Sequence, residues 1–238
     1  MQPALKTSPV PDITTLLANP IWHALQSRHH SHAVGNDLAC RYPAEMAPFG
    51  AMRITDKYSL KALHALLEPG ERIWIRDHNN PELVELPVDL RFDCYQMIAS
   101  SVGTVETKHS ILPLGMQDSA DMLALTEISF PEFFRKRSAE MGRYFGIRSA
   151  SGQLISMCGE RMMPGNTTEL SGICTHPDFR GQGLAAMLIT HILKLHAQEG
   201  ITSWLHVNRD NDAAVKLYKR TGFEVYSEVF YTRLVRNA

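Results

Sequence analysis

The stretch from Leu170 to Ala186, Leu-Ser-Gly-Ile-Cys-Thr-His-Pro-Asp-Phe-Arg-Gly-Gln-Gly-Leu-Ala-Ala, limits this chain to folds that join a strand to a helix through a glycine turn. The apolar run Leu170 to Thr175 fits a strand, and Pro177 cannot extend it. Arg180-Gly181-Gln182-Gly183 then opens a segment striped with Leu184, Leu188, Ile192 and Leu195 at helical spacing, which Gly200 ends. Gly181 and Gly183 let the backbone turn tightly and approach a ligand, and the helix they open offers unpaired N–H groups at the positive end of its dipole. Such a junction binds phosphate.

Two phosphate-binding patterns compete there. Gly181 to Ala186 fits G-x-G-x-x-A, the dinucleotide fingerprint, but His176 to Arg180 separate strand from glycines, and too little chain follows for a doubly wound sheet. A nucleotide-hydrolase loop needs a Gly-Lys-Ser/Thr that is absent. The segment strongly resembles instead the coenzyme A site of the GCN5-related N-acetyltransferases, whose hallmark Gln/Arg-x-x-Gly-x-Gly/Ala stands here as Arg180, Gly183 and Ala185. Its flanks agree: Thr-His-Pro-Asp-Phe precedes it, and Leu-Tyr-Lys-Arg-Thr-Gly-Phe at Leu217 to Phe223 resembles the family's C-terminal signature. The Glu-Leu-Ser-Gly-Ile-Cys-Thr-His-Pro run from Glu169 is most similar to the FR47-like branch.

The chain has 238 residues with a formal net charge of −1, so it carries no global electrostatic signature for nucleic acid or an anionic membrane. No apolar run reaches the length of a membrane span, and the first residues lack the apolar core of a signal peptide. Cys40, Cys94, Cys158 and Cys174 are isolated, which fits buried free thiols in a reducing cytoplasm. His23, His29, His30 and His32 cluster, but their spacing defines no metal site, and none is expected.

Periodicity predicts a mixed-sheet α/β chain in two parts, 1–107 and 108–238. In the first, residues 1–12 read as a loose arm, and Asn19 caps a helix begun by Pro20. Asp56 caps another that carries Leu60 and Leu63, Arg72 to Arg76 reads as a half-buried strand, Leu83 to Val88 as an interrupted apolar run, and Leu90 to Ala99 as a strand. Only three glycines precede residue 100, so this part has no second coenzyme loop; the resemblance implies a degenerate acetyltransferase-like half that shapes the acceptor pocket, and a purely structural subdomain is the alternative. The second part reads as a strand near Ser110 to Leu114, a helix from Asp118 or Ser119, a second helix between Pro131 and Gly142, and strands at Tyr144 to Arg148, Leu154 to Met162 and Glu169 to Thr175. After the glycine-opened helix come a strand, Ile201 to Val207, a helix capped by Asp210 or Asn211, and one or two strands between Phe223 and Leu234. That order matches the acetyltransferase topology.

Acetyl transfer needs a held thioester, an unprotonated amine, a stabilised oxyanion and a proton for the leaving thiolate. Backbone amides from Arg180, Gly181, Gln182, Gly183, Leu184 and Ala185 suit the pyrophosphate, with Arg180 adding charge. The resemblance assigns the strand backbone at Ile173, Cys174 and Thr175 to the pantetheine arm, expects the strand at Ser203 to Val207 to splay from its neighbour, and places Asn208 or Asn211 beside the coenzyme. It also makes Tyr218 the general acid, a tyrosine that is otherwise core. Glu160 and Glu169 are the general-base candidates, on the argument that burial raises a carboxylate pKa; pairing with Arg161 or a water relay are the alternatives. Cys174 as a nucleophile lacks an adjacent histidine. The expected activity is direct acetyl transfer from acetyl-CoA to a primary amine on a small-molecule or peptide acceptor, by a monomer or homodimer. A noncatalytic coenzyme A binding module and a dinucleotide-dependent oxidoreductase are the alternatives.

Overall fold

The computed structural model describes residues 11–77, 88–106 and 108–236. Residues 1–10 of the arm expected over 1–12, and most of the Leu83 to Val88 run, lie outside the described residues.

Eight strands form one mixed sheet in the order β4-β11-β5-β10-β9-β8-β7-β6. From residues 1–107 come β4 (Arg72–Asp77) and β5 (Val88–Ala99); the others are β6 (Leu112–Leu114), β7 (Tyr144–Arg148), β8 (Leu154–Glu160), β9 (Thr167–Thr175), β10 (Thr202–Asn208) and β11 (Phe223–Val235). A small antiparallel sheet of β1 (Val34–Gly35), β2 (Ala39–Arg41) and β3 (Gly50–Met52) lies beside it. β5 is inserted between β10 and β11, antiparallel to both. The ranges 1–107 and 108–238 therefore share one sheet.

Helices α5 (Leu184–Glu199) and α6 (Asp212–Arg220) cover one face, packing Leu188, Ile192 and Tyr218 against Met97, Ile155 and Leu205. Alternation along β10 sends Trp204 to the opposite face, into a core with Leu17, Ile21, Phe49, Trp74 and Tyr231. Helices α1 (Ile13–Ala18) and α2 (Pro20–Leu25) pack on that side, as does α4 (Ser119–Ser129), which sets Met122 and Leu125 against Tyr144, Met157 and Cys174. Helix α3 (Lys57–Ala65) seats Leu60 and Leu63 on Met52, Ile73 and Leu234.

Local chemistry explains these elements. Asp56 caps α3 by accepting from the amides of Tyr58 and Ser59, and Asn211 caps α6 by accepting from Ala214. Asn19 precedes α2 as expected, but its amide donates to the Met52 carbonyl instead of capping, so it ties the helix to β3. Two further expectations are corrected. Strand β4 is buried on both faces, because the core with Trp74 lies on one side and α3 on the other. Between Pro131 and Gly142 there is no α-helix, only a short 3-10 turn at Ser138–Glu140; its aromatics Phe133 and Phe134 are instead spent on two different cores.

The site is positioned by a parting of strands. Strands β9 and β10 run parallel but pair only from Thr167 to Glu169 against Thr202 to Trp204, and beyond that they diverge. On its other edge β9 carries a bulge, where Gly172 and Ile173 stand opposite the single residue Cys158. Gly172 takes φ +63°, a conformation that a side chain would strain.

Candidate active site

Where β9 and β10 part, a cavity of about 330 Å³ runs between them. Ile173, Val207, Asn208, Asn211 and Tyr218 line it toward α6, while Phe49, Trp74, Phe92, Phe133, His206 and Tyr231 line it on the opposite face. Four expected coenzyme residues, Ile173, Asn208, Asn211 and Tyr218, thus meet in one space. Thr175, on the same strand, binds Ser156 through its hydroxyl.

The glycine turn lies at the N-terminus of α5. Gly181 and Gly183 have φ of +78° and +76°, and nothing lies within 4 Å of where their Cβ atoms would be. Their requirement is therefore conformational, with open space left above the turn. The first helical bond inside α5 runs from the Met187 amide to the Gly183 carbonyl, so the amides of Leu184 and Ala185 precede the helical ladder. Arg180 Nε donates to the Thr175 carbonyl at 3.3 Å, which holds the arginine beside the turn.

Tyr218 is buried on α6, its ring edge-on to Phe223. Burial pushes its phenol pKa up, so it is protonated at neutral pH and able to donate. Asn211 spends its side-chain oxygen on the α6 cap, and Asn208 accepts from the Asp210 amide. Cys174 turns its thiol into the core under α4, and burial raises its pKa to about 12, so it is no thiolate nucleophile.

The two carboxylates part company with expectation. Burial alone would raise their pKa values, but cations override it. Glu160 accepts from His196 Nε2 at 2.7 Å and from Arg143 at 2.6 and 2.9 Å, and its pKa falls to about 2. It does not line the cavity beside Tyr218; it borders a separate cleft with Arg143 and Glu199. Glu169 is buried and held by a two-point pair with Arg161 at 2.7 and 2.8 Å, and its pKa likewise falls to about 2. Neither carboxylate is a proton acceptor near neutral pH.

Glu169 nevertheless reaches the cavity through a residue that sequence reasoning missed. His206 Nδ1 lies 3.0 Å from Glu169 Oε1, so a carboxylate there fixes the hydrogen on Nδ1 and leaves Nε2 with a free lone pair. Nε2 stands 3.2 Å from the Tyr231 hydroxyl and 3.3 Å from Gln96 Nε2, both able to donate to it. Burial lowers the His206 pKa, with Glu169 opposing, so the ring is neutral at pH 7. The signal in sequence was a histidine alternating with Trp204 in an apolar strand, two residues before Asn208.

A sequence model of the Acetyltransferase (GNAT) family matches residues 116–223. The chain is 29% identical over 82 residues to the ribosomal protein bS18-alanine N-acetyltransferase of Salmonella typhimurium, covering 34% of this chain and 55% of that protein. It is 32% identical over 95 residues to the N-alpha-acetyltransferase RimI of Mycobacterium tuberculosis, covering 39% and 58%. The chain thus spans little more than half the length of these curated relatives. A crystal structure of a GNAT-family protein from Novosphingobium aromaticivorans is similar at 29% identity with a TM-score of 0.83, over 93% of this chain and 99% of that one. That likeness extends through β4 and β5 as well as the matched range. The mixed sheet with its parted strands, the glycine turn and the match over residues 116–223 together give this chain the GNAT fold, with the matched domain in its C-terminal part.

Proposed function

We propose that the protein transfers an acetyl group from acetyl-CoA directly to the primary amine of an acceptor. The observation that carries this reading is the continuity of one cavity, from Tyr218 and Asn211 on the α6 side to His206 and Tyr231 on the other face of the sheet. The amides at the start of α5, with Arg180, bind the pyrophosphate. The arm enters between β9 and β10, where backbone at Ile173 to Thr175, not paired with β10, receives it, and an amide N–H at the bulge donates to the thioester carbonyl.

The amine nitrogen attacks the thioester carbon. The C–N bond forms, the C–S bond breaks, the amine proton passes to His206 Nε2, directly or through Tyr231, and the departing sulfur takes a proton from Tyr218. Glu169 orients His206 and stabilises the imidazolium, and Arg161 keeps Glu169 ionised. Residues 1–107 shape the acceptor side, since Phe49, Trp74, Phe92 and Cys94 all line it. The Glu169 to Pro177 run favours the FR47-like branch, and four buried free cysteines suit the cytoplasm. The curated relatives, a ribosomal protein bS18-alanine N-acetyltransferase and an N-alpha-acetyltransferase, support an amine acceptor.

The test is release of free thiol from acetyl-CoA across a panel of amines, alongside the shift in melting temperature caused by acetyl-CoA alone. Amine-dependent thiol release supports the reading. A thermal shift with no release on any amine would make the protein a coenzyme-binding module, and no shift at all would remove the coenzyme from the account.

A further inference from the structure

Aromatic rings from distant parts of the chain wall the end of the cavity away from Tyr218. Trp74 and Phe92 stack at 4.8 Å, Phe133 tilts against Trp74 at 5.5 Å, and Phe49 stacks on Phe133 at 6.1 Å. Tyr231 meets Phe49 edge-on at 6.5 Å. Such a box favours a flat apolar body, because ring faces and edges both find partners and little side-chain freedom is lost.

The same end carries unspent positive charge. Arg161 gives Nε and Nη2 to Glu169 and lies over the Phe49 ring, while its Nη1 has no partner among the described residues. Arg76, the cross-strand neighbour of Tyr231, stands behind the cavity lining, and its Nε and Nη1 and the Nε1 of Trp74 are buried with no hydrogen bond among the described residues. Arg233, over Trp74, is already matched by Asp89 and Glu132. Around His206 the charged groups are then Glu169, Arg161 and Arg76, with Tyr231 un-ionised, a balance of two cations to one anion. A guanidinium that lines a cavity with a nitrogen unspent favours a carboxylate there, through a charge-assisted hydrogen bond.

We propose that the acceptor is a small aromatic amino acid or a close analogue, with its ring in the Trp74, Phe92 and Phe133 box, its carboxylate toward Arg161, whose charge Arg76 reinforces from behind the lining, and its amine toward His206. This rests on the acetyl-transfer reading and deepens it. The reaction converts the free amino acid and acetyl-CoA to the N-acetyl amino acid and coenzyme A, and the amine loses one proton while the thiolate gains one. Polyamines fail on this account because they bring positive charge against Arg76 and Arg161. Alanine-type acceptors fail because they leave the rings unfilled.

Thiol release is measured with acetyl-CoA and each of L-phenylalanine, L-tryptophan, phenethylamine, L-alanine, spermidine and a short peptide beginning with alanine. The expected kcat/KM for phenylalanine or tryptophan exceeds that for phenethylamine, which lacks the carboxylate, and for alanine, which lacks the ring, each by about tenfold or more. Phe133→Ala, on a loop outside the sheet, is expected to raise KM for phenylalanine about tenfold with acetyl-CoA affinity unchanged. Faster turnover of spermidine, alanine or the peptide overturns the inference, as does parity between phenethylamine and phenylalanine. Acetyl-CoA binding with turnover of none of the aromatic acids overturns it alone; failure of acetyl-CoA to bind overturns the transfer reading beneath it.

Discussion

The two ends of the cavity are built by different means. The proposed coenzyme end comes from one unbroken run, β9 through the glycine turn into α5, followed by β10 and α6, so its groups are neighbours in sequence as well as in space. The proposed acceptor end draws Phe49, Trp74, Phe92, Phe133, Arg161, His206 and Tyr231 from seven strands and loops scattered over most of the chain. A local motif can be carried intact from protein to protein. A scattered pocket is remade with every change in what packs behind it, and specificity follows from the second kind of construction.

The most severe way to break the comparison is to remove one builder. A chain beginning at Lys108 keeps the whole coenzyme motif but loses β4 and β5, and so strips β10 and β11 of the strand between them. It is expected to be insoluble or to lack a cooperative melt, which circular dichroism checks; a folded fragment that binds acetyl-CoA would show that the coenzyme end stands alone. Next in size, Glu169→Ala leaves Arg161 buried without its partner and should cost about 3–5 kcal/mol in chemical denaturation. A loss below about 1 kcal/mol would mean that water already shares the pair.

Two substitutions probe the ends separately. His206→Gln and Tyr218→Phe should each lower kcat by about 10² to 10⁴ where chemistry limits turnover, with acetyl-CoA affinity near that of the parent. His206→Gln should also abolish the acid limb of the kcat profile, whereas Tyr218→Phe should spare it. If either variant turns over at the parent rate, that residue serves packing only.

Acid should unmake both ends together. His29 is buried, and this lowers its pKa to about 4; His206 is lowered too. A depressed histidine gives stability that is complete above the unfolded value near 6.5 and is lost as pH falls toward the folded value. Glu160 and Glu169, depressed to about 2, add stability that is present above about 4.5 and lost below it. Melting temperature should therefore drop by several degrees between pH 7 and pH 4 and continue to fall toward pH 2. A melting temperature constant from pH 7 to pH 4 would mean that these histidines are protonated in the folded protein. Smallest of all, Asn211→Ala removes the α6 cap and should cost about 1 kcal/mol in denaturant, with acetyl-CoA affinity reporting whether the amide also touches the coenzyme.

How far each end could be read from sequence follows from the same difference. The caps at Asp56 and Asn211, the turn at Gly181 to Gly183 and the helix closed by Gly200 are local signals, and they stand where the sequence places them. Phe49, Trp74 and Phe92 look in sequence like any buried aromatics, because nothing short-range marks which face of β4 or β5 meets a cavity. The base was misjudged for a physical reason. Burial argues for a raised carboxylate pKa only when no cation or hydrogen-bond donor shares the site, and the guanidinium groups of Arg161 and Arg143 and the ring donors of His196 and His206 arrive from strands and helices that sequence spacing does not connect. The missing helix between Pro131 and Gly142 is a case of tertiary packing overriding pattern, with Phe133 drawn to one core and Phe134 to another.

The position of β5 also has a consequence for how the molecule comes into being. It leaves the ribosome well before either strand that it will lie between, and β11 follows every other described element. At about 5–20 residues per second, the wait from β5 to β11 is on the order of ten seconds. Through that interval β5 presents two open edges, and its Arg91, Asp93 and the Arg72 to Asp77 strand keep charge on the nascent segment. The acceptor chamber cannot exist in any partial chain, so a stalled or clipped nascent product would hold a complete coenzyme loop and no place for an amine.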